Sequence, residues 1–207
     1  MSNLQWNNRF KAIWKAIKPW LTAVAIFLIL KYTGALSGIS FFANSALLET
    51  GILNADPEVD AEKSEEFDYN FHITTINGEV IDVNSLRGKT IFLNMWATWC
   101  GPCRAEMPSI QSLYSKMNSD SVSFVMLSLD TENLPNRVAN YVERKGFTFP
   151  VFIASNGLPE QLQVSTIPTT FIVSKDGFIV YKKSGLADYD TKRFKNYLEK
   201  LAVANKH

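Results

Sequence analysis

Cysteine and histidine are scarce in this chain, with two of each among 207 residues. Both cysteines fall in one stretch, Cys100-Gly101-Pro102-Cys103, so no framework of structural disulfides can be built. The pair is a redox couple, half of a metal site, or an incidental short-loop disulfide. A closed zinc site wants four ligands, and beyond the cysteines only His72 and His207 are on offer, so the supply argues against a metal. We expect neither metal nor cofactor. Acidic residues are missing before Glu49, although Arg9, Lys11, Lys15 and Lys18 precede it. A formal net charge of only +1 leaves no electrostatic footprint for nucleic acid, and no nucleic-acid partner is expected. Internal repeats and low-complexity tracts are absent.

What is present begins with an apolar band. Pro19 to Leu30 carries no charge, Lys31 interrupts, and Tyr32 to Leu48 is again uncharged. A membrane-spanning helix needs about 20 residues. A span near 17–36 supplies them, with Lys31 able to snorkel at the outer end and Trp14, Trp20 and Tyr32 as interfacial aromatics. A central Lys31 would cost about 2.5–3.5 kcal/mol, which shifts the span toward the amino terminus. The four leading bases put that end in the cytoplasm and export the remainder of the chain. The competing reading is a cleaved signal peptide, since Thr33-Gly34-Ala35 and Ala43-Asn44-Ser45 resemble cleavage sites. The expected division is a basic cytoplasmic tail over 1–16, an anchor or uncleaved signal region over 17–42, an acidic linker over 43–66 and a folded domain over 67–207. The acids from Glu49 to Asp68, broken by Pro57, have the composition of a solvated tether.

The last part of the chain alternates between strand and helix periods. Asn77-Gly78 is a hairpin signal between residues 67–75 and Val80-Ile81-Asp82-Val83. Thr90–Trp96 and Val122–Leu129 are apolar runs expected to be strands buried on both faces. From about Cys100 to Met117, residues Met107, Ile110, Leu113, Tyr114 and Met117 recur at helical spacing. Val138, Tyr141 and Val142 mark a second helix, and Phe149–Ala154 a further strand. Thr169–Val173 and Phe178–Lys182 flank the turn Lys175-Asp176-Gly177, and a final helix comes last with Asp190 as its expected N-cap. Such a succession implies an α/β domain with a central mixed sheet flanked by helices.

The cysteine pair sits where a buried strand gives way to a helix. A helix amino terminus offers unpaired N–H groups and the positive end of the dipole, which stabilise a thiolate. Cys100, the earlier residue, is the expected nucleophile, and Cys103, one turn on, the resolving thiol. Pro102 suits a first helical turn and Gly101 permits close approach.

The Trp99-Cys100-Gly101-Pro102-Cys103 motif, with Thr166-Ile167-Pro168-Thr169-Thr170-Phe171 far downstream, resembles the thioredoxin superfamily over roughly 67–201. The run from Leu93 to Pro108, through Asn94, Trp96, Arg104 and Glu106, is similar to the TlpA/ResA branch of anchored, exported thiol-disulfide oxidoreductases. The resemblance implies a thioredoxin-like fold with an amino-terminal β-hairpin and a central insertion near 130–154, preceded by one transmembrane helix. It makes Cys100 the attacking and Cys103 the resolving cysteine, Pro168 a cis-proline facing them, and Ile167 a backbone contact for an extended client. Trp99, Gly101 and Pro102 complete the expected client-binding surface. Ordinary thioredoxins carry a buried acid where this chain has Asn94. Glu106 matches the branch's acid after the second cysteine and is the expected proton carrier, against the alternative of a helix-surface glutamate.

The implied activity is reduction of disulfides in oxidised exported client proteins on the extracytoplasmic face, with a membrane thiol reductant as electron donor. Cytochrome c maturation is one client pathway that branch serves. The rival readings are an oxidase or isomerase, and a non-catalytic metal-binding or adaptor protein.

Overall fold

The structure is a computed structural model and describes residues 14–15, 17–26, 28, 48, 53–56, 65–117, 122–130, 135–155 and 157–203. Two compact units divide the chain, Met1–Ser40 and Phe41–His207. In the first unit the described residues are helical, and Trp20, Leu21, Val24, Ile26 and Leu28 are exposed along that helix. No helix among the described residues is long and apolar enough to cross a membrane. Residues 27 and 29–36 of the expected span lie outside the described residues, as do the candidate cleavage sites.

The second unit is built on an eight-stranded sheet: β1 (Glu65–Glu66), β2 (His72–Thr75), β3 (Val80–Asp82), β4 (Thr90–Trp96), β5 (Val122–Ser128), β6 (Val151–Ala154), β7 (Thr169–Val173) and β8 (Phe178–Ser184). The spatial order is β1-β8-β7-β4-β5-β6-β2-β3. The pairs β4–β5 and β5–β6 are parallel and the rest antiparallel, so the sheet is mixed as expected. The Asn77-Gly78 hairpin forms, with Ile73 opposite Ile81 and Gly78 at φ 89°, where a side chain would be strained.

β4 explains why the site sits at the centre. It pairs with β5 on one side and β7 on the other, so both faces must be covered, and all seven of its residues are buried. Its side chains alternate: Ile91, Leu93 and Met95 join one core cluster, Phe92 and Trp96 the other. Asn94 falls on the second face by the same alternation.

Three helices complete the unit: α1 (Gly101–Lys116), α2 (Pro135–Lys145) and α3 (Lys192–Val203). All three send apolar residues into the Phe92/Trp96 cluster, through Met107, Ile110 and Leu113, through Val138, Tyr141 and Val142, and through Phe194, Leu198 and Ala202. The strand steps β4 to β5 and β5 to β6 run the same way across the sheet, and right-handed crossovers then place α1 and α2 on one face. The opposite face is covered by the segment Phe67–Phe71 and by the stretch around Leu158, Leu162 and Val164. The expected flanking by helices therefore holds for one face of the sheet.

Two local expectations change. The composition before the domain implies a solvated tether, yet Glu65–Glu66 pairs with β8 and Asn54 bridges to Asp188. Backbone groups of β8 and of the loop before α3 supply the partners. Helix α3 is capped by Thr191, whose Oγ1 accepts from the Phe194 N–H at 3.1 Å, in place of Asp190. The Asp190 carboxyl is occupied by Ser112 at 2.7 Å and by Lys116.

Candidate active site

The strand β4 ends at Trp96, and residues 97–99 turn the chain into α1. Cys100 is the N-cap of that helix: its backbone is extended, and its Sγ accepts from the Cys103 N–H at 3.1 Å. Sulfur therefore occupies the position that an Asp or Ser side chain fills at many helix starts, where N–H groups await a partner. Negative charge developing on Cys100 Sγ is stabilised there by that N–H and by the helix dipole. Gly101 and Pro102 occupy the first helical turn, where the missing N–H of proline leaves no bond unmade.

Cys100 and Cys103 are joined as a disulfide. The two sulfurs are not equivalent, because Cys100 retains 6% of its surface and Cys103 none. A partner thiol or disulfide approaching from solvent meets Cys100. Trp99, 60% exposed, stands beside it as the large apolar side chain at the rim. Trp96 is fully buried, packed against Tyr141 at 5.7 Å between ring centroids, and belongs to the core.

Ile167 and Pro168 face the pair across the site. The bond between them is cis, and the Ile167 carbonyl oxygen lies 3.8 Å from Cys100 Sγ. Ile167 is half-buried and its chain leads directly into β7, antiparallel to β4, which explains how residues so distant in sequence meet.

Glu106 is fully buried, so the helix-surface alternative does not hold. One carboxyl oxygen accepts from Asn94 Nδ2 at 2.8 Å, and the other from the Ala187 N–H at 3.3 Å. Asn94 also donates to Thr170 Oγ1 at 2.9 Å, which ties α1, β4 and β7 together under the disulfide. Burial pushes the Glu106 carboxyl up from 4.5 to about 8, and the bonds from Asn94 and Ala187 offset part of that rise. At neutral pH, with the cysteines oxidised, the group is a neutral acid one helical turn beyond Cys103.

The sequence reading missed the anchor of the loop that carries Trp99 and Cys100. Asp130, 4% exposed, lies just beyond β5. Its oxygens accept from the Thr98 N–H at 2.7 Å, the Thr98 hydroxyl at 2.6 Å and the Ser128 hydroxyl at 2.8 Å. Leu129 N–H adds a bond to the Trp96 carbonyl at 2.8 Å. The one signal available was an acid just after a buried strand that is parallel neighbour to the motif strand. Among the described residues no group of three or more His, Cys, Asp or Glu could hold a metal.

A mixed sheet carrying a Cys-Gly-Pro-Cys disulfide at a helix start, opposite a cis-proline, defines a thioredoxin-like thiol-disulfide oxidoreductase. The profile of the AhpC/TSA family matches residues 66–182, more than half of the chain, and the chain belongs to that family. The thiol-disulfide oxidoreductase ResA of Bacillus thuringiensis (strain Al Hakam) is 35% identical over 133 residues, covering 64% of this chain and 75% of the relative. Thioredoxin-like protein YneN of Bacillus subtilis (strain 168) is 29% identical over 164 residues, 79% of this chain and 88% of the relative. Among solved structures, StoA from Bacillus subtilis is similar with a TM-score of 0.52 and 32% identity, covering 61% of this chain and 94% of that one.

Proposed function

We propose that this oxidoreductase runs as a reductase of disulfides in exported client proteins, held by an amino-terminal anchor over 17–42 with the domain from 67 onward outside the cytoplasm. The observation that carries the reading is the pairing of Cys100, which keeps a small exposed surface at a helix start, with a wholly buried Cys103 and Glu106. The Cys100 thiolate attacks a client disulfide, forms a mixed disulfide and releases one client thiolate. The Cys103 thiolate then attacks Cys100 Sγ, breaks the mixed disulfide and releases the second client thiolate. Two electrons pass to the client, and the enzyme is left with the Cys100–Cys103 disulfide. A membrane thiol reductant returns two electrons and restores the dithiol. Glu106 takes the Cys103 proton as the disulfide closes and gives it back as it opens.

Client backbone is positioned by Ile167 and Pro168, with Trp99, Gly101 and Pro102 forming the rest of the contact surface, in the manner of strand addition. The anchor is supported by the exposed apolar residues of the first unit and by the uncharged sequence that continues from them. Clients of cytochrome c maturation are the first candidates, on the resemblance to the ResA branch.

The test is the midpoint potential of the purified protein together with its rate of insulin disulfide reduction. A potential near the thioredoxin value of about −270 mV with measurable reduction supports the reading; a value near about −120 mV makes the protein an oxidase.

A further inference from the structure

The loop before α3 uses its two edges differently. Ala187 and Tyr189 turn their N–H groups toward α1, to Glu106 Oε2 at 3.3 Å and to Ser109 Oγ at 3.3 Å. Ser109 Oγ in turn donates to the Glu106 carbonyl at 2.8 Å. Asp188, between them, turns its backbone the other way, as alternation in an extended chain requires. Its N–H donates to the Leu53 carbonyl at 2.8 Å, and its carbonyl accepts from the Ala55 N–H at 2.8 Å. Residues 53–56 thus form a short parallel bridge with Asp188, and Ala55 is buried against the core cluster that holds the cysteines. Asp56 ends the contact with an ion pair to Arg193 at 2.7 Å.

We propose that Leu53–Asp56 is a positioning strap for Glu106: it clamps the far edge of the extended segment 187–189, whose near edge donates to the Glu106 carboxyl, and so keeps water from that carboxyl. The proposal rests on the reading of Glu106 as the proton carrier. It gives the stretch between the amino-terminal unit and the catalytic domain a part in the chemistry beyond that of a tether.

The groups around Glu106 leave the strap as the adjustable element. From β4 it faces Asn94, with Thr170 of β7 behind, and from the loop it faces the Ala187 N–H. Cys103, one turn back, is disulfide-bonded and does not titrate. Arg104 acts on Tyr141 of α2, Lys183 of β8 pairs in register with Thr170, Asp188 Oδ1 accepts from the Asp190 N–H, and Asp190 binds Lys116. Arg193 of α3 is taken by Asp56. Burial is the largest influence on the Glu106 carboxyl and the single bond from Ala187 the smallest. Loosening the strap admits water, and that gain outweighs loss of the one bond, so the titration moves toward acid.

The test uses the full chain, oxidised, with carbon-13 in its glutamate carboxyls, and Glu106 identified by the signal that Glu106→Gln removes. Ala55→Pro deletes the N–H that binds Asp188, and Ala55→Gln pushes the strap off by bulk without adding charge. Both are expected to lower the Glu106 midpoint by at least about one pH unit. Midpoints in Ala55→Pro and Ala55→Gln that match the parent, or lie above it, overturn the strap. Failure of the underlying reading looks different: Glu106→Gln itself would then leave the pH dependence of disulfide opening unchanged.

Discussion

At the scale of single residues, the proposed chemistry turns on one carboxyl that burial pushes up, Glu106. With Glu106 pushed up to about 8, opening of the enzyme disulfide has an acid at hand below that pH and loses it as the pH rises through it. The rate of opening by a small dithiol, corrected for dithiol ionisation, is therefore expected to fall through about pH 8 in the parent. Glu106→Gln should flatten that limb and slow opening at neutral pH by on the order of 100-fold. The same group shapes stability. Its folded value lies above its ordinary value of 4.5, so the stabilisation is full below 4.5 and is lost as the pH rises toward about 8. Denaturant melts of the oxidised protein should show stability dropping by a few kcal/mol, roughly, across that window, and Glu106→Gln should remove the slope. Glu106 was legible only through the resemblance. The helical period marks Met107, Ile110 and Leu113 as the buried stripe of α1, but Glu106 is covered by Ala187, some eighty residues away, which no local pattern reveals.

Among the structural elements, the joint between β4 and α1 decides where Cys100 points. That joint is fixed from outside itself, by two hydrogen bonds from Thr98 into the Asp130 carboxyl, which Ser128 of β5 holds with a third. Replacing Asp130 with Asn substitutes a donor for one acceptor oxygen and leaves buried partners on Thr98 or Ser128 unmet. The expected cost is about 2–4 kcal/mol in a denaturant melt, with slower alkylation of reduced Cys100. Thr98→Val, which deletes only the hydroxyl, should cost about 1–2 kcal/mol, and Thr98→Ser close to nothing. A melt in which Asp130→Asn matched the parent would show that the loop holds its place without this anchor. Strands and helices were well marked in the sequence, because β4 and β5 are mostly apolar runs and α1 to α3 carry clear stripes. Caps and loop anchors were less so. Asp190 and Thr191 are equally good caps by residue type, and only the competing bonds to Ser112 and Lys116 decide between them.

For the whole molecule, the mixed sheet brings Ile167 and Pro168 of one strand entry up to the disulfide at the end of another. That meeting arises because β7 lies antiparallel to β4. The alternation of strand and helix implied a mixed sheet but not which strands would be neighbours, and the cis bond came from the resemblance alone. Orientation across a membrane is checked by a reporter fused after His207, which should be active only outside the cytoplasm while the intact chain stays with the membrane fraction. Recovery of a shortened soluble form would identify a cleaved signal in place of the anchor. The central claim, that Cys100 attacks and Cys103 resolves, is tested most directly by trapping in cells. Cys103→Ser should accumulate mixed disulfides that mass mapping places on Cys100, and Cys100→Ser should accumulate none, because the remaining sulfur is fully buried. Client adducts on Cys103 in the Cys100→Ser protein, at the level seen on Cys100 in the reverse variant, would contradict the account.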